Sequence, residues 1–217
     1  MKRSKTIFYL TIALMVLTGC NNQAENQSSD NNPKDTTKSQ EPTIEKETYS
    51  FQKSLQFKSI SFDITTKGSG SLRQLTIQPK GFEETNKSFE LEIDGKVTDA
   101  RVADLNSDGF PELLIFTQSA GSGSYGNVIA FSANGAKSMS RVYFPPANEN
   151  PKLNKGYMGH DTFLINESTL IQEFPIYKEG DPNSNPTGGV RRIQYKLVDG
   201  EASRKFVTDK ISESPSN

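Results

Sequence analysis

The chain has 217 residues, of which 33% are apolar and 24% are charged, and its mean hydropathy is −0.63. This length and polarity fit one domain of ordinary size together with segments that do not join a core. The single cysteine excludes an internal disulfide framework, the single histidine excludes a multi-histidine metal site, and the net charge of −1 does not indicate nucleic-acid binding.

The first twenty residues have the pattern of a bacterial export signal. Basic residues precede an apolar run over 7–17, which is too short to span a membrane. The run ends in Leu17-Thr18-Gly19-Cys20, which resembles a lipobox. We therefore predict that 1–20 is a lipoprotein signal peptide, that Cys20 is lipidated, and that Asn21 in the next position directs the anchor to the outer membrane. The alternative is an ordinary secretory signal with an incidental cysteine.

Residues 21–48 are predicted to form a disordered linker, because Ala24 and Ile44 are their only aliphatic residues. A flexible chain of this length spans about 30 Å on average. The folded domain is expected over 49–211, followed by a short disordered tail over 212–217. This organisation would hold the domain near a membrane through its lipid anchor while leaving it able to reach a partner.

The folded region alternates apolar and polar residues between turn pairs and has no convincing helical periodicity. The clearest alternating run begins at Ile60. Three turn pairs separate such runs and predict hairpins: Asp94-Gly95, Asn134-Gly135 and Asp199-Gly200. The continuously apolar run from Leu113 to Phe116 is typical of a strand buried on both faces. We predict an all-β fold, an antiparallel sandwich or flattened barrel of about eight to ten strands.

An acidic loop over 104–112 precedes that buried run, and its oxygen-bearing side chains have the spacing of calcium ligands. The candidate ligands are the side chains of Asp104, Asn106, Asp108 and Glu112 and the backbone carbonyl of Phe110. The loop is similar to the calcium loop of FG-GAP-type β-propeller repeats, although a single copy excludes a propeller. Two interpretations stay open, a Ca²⁺ site and a rigid Asx-type turn that needs no ion. Either would hold the turn before Leu113 and so brace the loop beyond that strand.

A glycine-rich loop with one aromatic residue follows the buried run. The three glycines within 121–126 satisfy G-x-G-x-x-G, but a strand rather than a helix follows, so a dinucleotide site is not expected. Glycine lets a backbone approach another surface closely, and Tyr125 offers the large amphipathic ring that is typical of binding hot spots. The alternative is an ordinary hairpin whose tyrosine packs back on the sheet.

Three stretches carry a resemblance to a known family: 102–114, 121–126 and 155–161. Together they resemble the periplasmic inhibitors of i-type (invertebrate-type) lysozyme, whose S-G-x-Y signature is matched by Ser122, Gly123 and Tyr125. The resemblance implies a β-sandwich, often a homodimer, whose signature loop enters the lysozyme cleft. No required cofactor is implied.

The first functional hypothesis is therefore a membrane-anchored inhibitor of i-type lysozyme, a binding protein and not an enzyme, that protects peptidoglycan. Its inhibitory loop would be Ser122-Gly123-Ser124-Tyr125, with Ser122 hydrogen-bonded to a catalytic carboxyl group and Tyr125 in a sugar subsite. The second hypothesis is a calcium-binding envelope adhesion or structural module that uses the acidic loop. The third is a hydrolase around His160.

Two long polar loops, over 145–162 and 178–189, need a structural or functional reason. His160 and Asp161 lie in the first loop, where we expect them to order the chain rather than to catalyse. Arg191 and Arg192 follow the second loop. Contact with an acidic partner is the alternative, and we expect solvated strand residues.

Overall fold

The computed structural model describes residues 48–215, so the predicted signal peptide, its lipidated Cys20 and the linker up to residue 47 lie outside the described residues. Twelve β-strands and one 3₁₀ helix make up the regular structure of the described part. The strands are β1 (Tyr49–Phe57), β2 (Ile60–Lys67), β3 (Leu72–Lys80), β4 (Phe89–Asp94), β5 (Lys96–Ala103), β6 (Glu112–Gln118), β7 (Gly126–Ala133), β8 (Met139–Val142), β9 (Thr162–Asn166), β10 (Thr169–Pro175), β11 (Val190–Val198) and β12 (Lys205–Ser214), and the 3₁₀ helix covers Ala147–Glu149. Within 48–215, no helix is long and apolar enough to cross a membrane.

The strands form three four-stranded sheets in which all neighbouring strands are antiparallel. Sheet A has the order β1-β2-β3-β4, sheet B the order β5-β6-β7-β8, and sheet C the order β12-β11-β10-β9. The prediction of an all-β antiparallel fold is confirmed. The described region has more strands than the eight to ten expected, and its open sheets form a layered sandwich rather than a barrel.

Sheet B is the middle layer, because alternate residues of β6 belong to two different cores. Leu113 and Ile115 pack in the core shared with sheet A, while Leu114 and Phe116 pack in the core shared with sheet C. All four side chains are buried. The continuously apolar run therefore forms a strand covered on both faces, as predicted.

Two of the three predicted hairpins are confirmed. Asn134-Gly135 joins the paired strands β7 and β8, and Asp199-Gly200 lies between the paired strands β11 and β12. The prediction of a hairpin at Asp94-Gly95 is wrong, because β4 belongs to sheet A and β5 to sheet B. Ile93 and Val97 bury their side chains in the same core from two stacked sheets, so this turn carries the chain between layers.

The last strand continues to Ser214, beyond the predicted domain end at residue 211. Its final residues pair with the start of β11, and Ser214 lies opposite Val190. The pairing satisfies backbone hydrogen-bonding groups in this edge strand, although most of its side chains are exposed.

The two loops singled out in the sequence lie at opposite ends of β6. The acidic loop precedes this strand, whereas residues 119–125, the hairpin loop, connect it to β7. Because β6 has seven residues, it separates the two loops by about 20 Å. The acidic loop therefore does not brace the hairpin loop, and the support must come from other elements.

Candidate functional site

The hairpin loop is closed by hydrogen bonds among its own residues. The Ser119 backbone N–H donates to the Tyr125 carbonyl at 2.9 Å, and the Tyr125 N–H donates to the Ser119 hydroxyl, also at 2.9 Å. The Ser124 N–H donates to the Gly121 carbonyl at 2.9 Å. Ser124 also has a left-handed backbone φ of 45°. Residues other than glycine seldom adopt this conformation unless their surroundings fix it.

The hairpin loop presents its signature side chains at the surface. Ser122 is exposed, Tyr125 is 45% exposed, and Ser124 is half-buried. The Tyr125 ring makes an edge contact with Tyr157, with ring centroids 5.6 Å apart. The structure thus brings Ser122, Ser124 and Tyr125 together on one turn, with the aromatic ring oriented by a neighbour but reachable from outside.

A second segment, residues 156–161, packs against the hairpin loop; we call it the support loop. The His160 backbone N–H donates to the Gly123 carbonyl at 2.8 Å. A Cβ on Gly123 would lie 2.5 Å from Cε2 of Tyr125 and 2.9 Å from the Met158 carbonyl oxygen, and one on Gly159 would overlap the Gly123 carbonyl oxygen. Glycine is therefore required at both positions for the two backbones to touch.

The Asp161 carboxylate joins the support loop to the hairpin and to sheet C. It accepts hydrogen bonds from the Gly126 N–H at 2.7 Å, the Tyr157 hydroxyl at 2.8 Å and the Gln172 amide at 2.6 Å. Gln172 in turn accepts a hydrogen bond from the Tyr195 hydroxyl. Burial raises the pKa of Asp161, and the three hydrogen bonds to the carboxylate oppose this rise. This buried network serves to order the loops.

A third segment reaches the hairpin loop through Asn183. Its side-chain amide donates to the Ser122 carbonyl at 3.0 Å, and its Oδ1 lies 3.2 Å from Nε2 of His160. The Tyr177 hydroxyl donates to the Asn183 carbonyl at 2.9 Å and so holds this residue in place. Asn183 was missed by sequence reasoning, because nothing in its local pattern distinguishes it from other polar loop residues.

Arg191 corrects the expectation of a solvated strand residue, since it is only 5% exposed. Its guanidinium donates to the carbonyls of Leu153 and Lys155, at 2.6 and 2.8 Å, and forms an ion pair with Glu213. These contacts anchor the chain just before the support loop. The neighbouring Arg192 side chain is 42% exposed and pairs with Glu173.

The acidic loop is a set of hydrogen-bonded turns. The Asp104 carboxylate accepts the N–H groups of Asp108 and Gly109, at 3.1 and 2.9 Å, and the Asp108 carboxylate accepts the N–H of Phe110 at 2.9 Å. Asn106 takes part as well, because its Oδ1 accepts the Asp108 N–H at 3.1 Å. These bonds are those of the Asx-type turns considered in the sequence.

The remaining candidate ligand, Glu112, is 1% exposed, and burial raises its pKa. Its carboxylate accepts hydrogen bonds from the Leu105 N–H and the Ser132 hydroxyl, both at 2.7 Å. Among the described residues, no group of three or more acidic, histidine or cysteine side chains is arranged to hold a metal ion. Calcium binding by Asp104, Asn106, Asp108, Phe110 and Glu112 stays a prediction.

Two basic side chains contact the acidic loop, and sequence reasoning had identified neither. The Arg204 guanidinium pairs with the Asp108 carboxylate at 2.9 Å and donates to the Ser132 hydroxyl and the Ala133 carbonyl. The Lys58 ammonium donates to the Gly109 carbonyl at 2.7 Å. Arg204, just before β12, thus ties the loop to β7, and Lys58 ties it to the turn between β1 and β2.

The described region is thus an all-β scaffold that presents a small, hydrogen-bonded and exposed loop. Residues 79–151 match the family model of the periplasmic lysozyme inhibitor of I-type lysozyme. This segment is about a third of the chain, contains the acidic and hairpin loops, and ends before the support loop. The match confirms the family resemblance over these residues and supports a role as a lysozyme inhibitor. No curated protein and no solved structure matches the chain.

Proposed function

We propose that this protein inhibits i-type lysozyme by inserting the Ser122-Gly123-Ser124-Tyr125 turn into the glycosidase groove. The observation that carries the proposal is an exposed S-G-x-Y turn, fixed by backbone hydrogen bonds, inside the segment that matches the inhibitor family. A lysozyme cleaves its substrate with two carboxyl groups in a groove. A peptide turn offers no glycosidic bond, so it blocks the groove without being consumed, and the protein needs no catalytic group of its own.

Ser122 and Tyr125 have complementary roles in this mechanism. The exposed Ser122 hydroxyl donates to a catalytic carboxylate, an interaction worth about 1.5–3 kcal/mol. Tyr125 occupies a sugar subsite, where burial of its ring and a partner for its hydroxyl contribute a few kcal/mol. Because the support loop already orders the turn, little conformational entropy remains to be lost on binding.

The direct test is inhibition of purified i-type lysozyme by the wild-type protein and by Tyr125→Ala. We expect the variant to inhibit 10- to 100-fold more weakly with an unchanged melting temperature, because it loses an exposed hot-spot ring. Tyr143→Ala is the matched control, since Tyr143 is 56% exposed and contacts the start of β12 instead. Equal inhibition by Tyr125→Ala and wild type would refute the loop mechanism.

Two further experiments test the selectivity for i-type lysozyme and any role of calcium. Assays with c-type and g-type lysozymes measure whether the groove of the i-type enzyme is preferred. Repeating the assay in EDTA, with a melting curve in added Ca²⁺, tests the predicted ligands of the acidic loop. Weaker inhibition in EDTA would show that an ion contributes to the active conformation.

We also propose that the protein is anchored in the outer membrane through a lipidated Cys20 and acts in the cell envelope. The support is the lipobox-like ending of the apolar run and the periplasmic family matched by residues 79–151. Metabolic labelling with a radioactive fatty acid should label the wild-type protein, and Cys20→Ser should abolish the label. An unlabelled wild-type protein in a soluble periplasmic fraction would contradict the anchor.

The resemblance further suggests a homodimer. Light scattering during size-exclusion chromatography of the purified protein measures its mass directly, and the mass of one mature chain rather than of two would contradict this part of the proposal.

A further inference from the structure

We propose that Met158 in the support loop is a second lysozyme-contacting residue, so that the binding surface extends beyond the S-G-x-Y turn. This inference rests on the proposed inhibition of i-type lysozyme. The partner surface that Met158 contacts is the apolar rim of the same glycosidase groove that receives Tyr125.

The first observation is where Met158 lies. Its carbonyl oxygen is at the edge of the contact with Gly123, and the following residue, Gly159, is buried against the Gly123 carbonyl. The preceding residue, Tyr157, is half-buried, with its hydroxyl bound to Asp161. Both neighbours therefore fix the Met158 backbone beside the hairpin loop.

The second observation is that the Met158 side chain remains outside this packing. The residue is 41% exposed, close to the 45% of Tyr125. The other exposed large apolar residues of the described region lie in strands or at an isolated bridge: Tyr49, Leu72, Tyr143, Leu164, Val190 and Ile211. Tyr125 and Met158 are thus the pair that projects from two contacting loops.

This arrangement has the chemistry of a contact that surrounds a hot spot. A methionine side chain is apolar and flexible, so it adapts to an irregular surface beside the inserted ring. Contacts around a buried aromatic residue exclude water from it and strengthen its contribution. We therefore expect Met158 to become covered when the hairpin loop enters the groove.

The first test compares inhibition of i-type lysozyme by the purified Met158→Ala and Leu164→Ala variants. Leu164 is also 41% exposed but lies in β9, so it is a matched control. We expect Met158→Ala to inhibit 3- to 10-fold more weakly and Leu164→Ala to inhibit as the wild type does. Wild-type inhibition by Met158→Ala would overturn the inference, while the loss in Tyr125→Ala would still support the proposed function.

The second test detects coverage of Met158 without a substitution. The wild-type protein is treated with hydrogen peroxide, alone and with a saturating excess of i-type lysozyme, and mass spectrometry measures the oxidation rate of each methionine. Met139, half-buried between sheets A and B, is the internal reference. We expect the oxidation rate of Met158 to fall at least fivefold in the complex while that of Met139 is unchanged. An unprotected Met158 in a complex that still inhibits would overturn the inference.

Discussion

A single carboxylate, that of Asp161, determines how well the hairpin loop is held. Three donors from three segments converge on it, from Gly126, Tyr157 and Gln172. In Asp161→Asn, at least one of these donors would face the new amide group instead of an acceptor, because Gly126 and Tyr157 share one carboxylate oxygen and Gln172 uses the other. We expect a loss of about 1–3 kcal/mol in the free energy of unfolding, together with weaker inhibition. Urea denaturation measures the first effect, and unchanged stability would contradict the role of the network.

Asp161 also gives a prediction for the pH dependence of stability. Because burial raises its pKa, the folded protein holds this proton at pH values where the unfolded chain has released it. The contribution of Asp161 to stability therefore falls as the pH rises through the folded-state pKa. The melting temperature of the wild type minus that of Asp161→Asn should be largest below about pH 4 and should decrease as the pH rises above this value. A difference that grows with pH would show that the three hydrogen bonds outweigh burial.

At this scale, the sequence predicts residues whose role is local and misses those whose partners are distant. Ser122 and Tyr125 are identified by their own motif, and Asp161 by its position in a loop that needs ordering. Asn183 contacts a residue that is 61 positions away in the chain, and Arg191 contacts two residues that are 36 and 38 positions away. The register and loop placement that create such contacts are properties of the folded sheets.

Among the elements, the strands with two buried faces or a clean alternation are the ones that the sequence predicts. The apolar run of β6 and the alternating residues of β2 are clear because each packs against a core. The edge strands β1 and β12 are partly exposed, so their polar residues conceal them. The Asp94-Gly95 turn shows the same limit, since a turn pair does not say whether the next strand pairs or changes layer.

Arg204 joins the acidic loop to strands β6 and β7, and its removal tests how much this connection contributes to stability. Burial raises the pKa of Asp108, but the hydrogen bonds from Phe110 and Asn106 and the Arg204 guanidinium lower it more, so the net shift is downward. Arg204→Met leaves Asp108 and the buried Glu112 without this cation, and we expect a loss of about 1–3 kcal/mol in the free energy of unfolding, measured by urea denaturation.

The control for that experiment is Lys137→Met. It breaks an ion pair with Glu84 in which both side chains are more than 60% exposed, so we expect a change of no more than about 0.5 kcal/mol. Equal effects of Arg204→Met and Lys137→Met would mean that Arg204 contributes only an ordinary surface charge.

For the whole molecule, the central position of sheet B makes the two cores mutually dependent. Each strand of the β6–β7 hairpin contributes side chains to both cores, so neither core remains complete if this hairpin unfolds. The hairpin loop joins these two strands and is therefore mounted on the best-covered part of the described fold. A binding loop on such a support keeps its conformation before the partner arrives.

The shared hairpin predicts one cooperative unfolding transition for all three sheets. Leu114→Ala, in the core with sheet C, and Ile115→Ala, in the core with sheet A, should each cost about 2–5 kcal/mol and lower the same transition. Leu72→Ala, at a position 58% exposed, should change stability by no more than about 0.5 kcal/mol. Differential scanning calorimetry tests whether unfolding is a single transition, because the calorimetric and van't Hoff enthalpies then agree. Two separate transitions, with Ile115→Ala lowering only one, would show that sheet A folds independently of the layer that carries the hairpin loop.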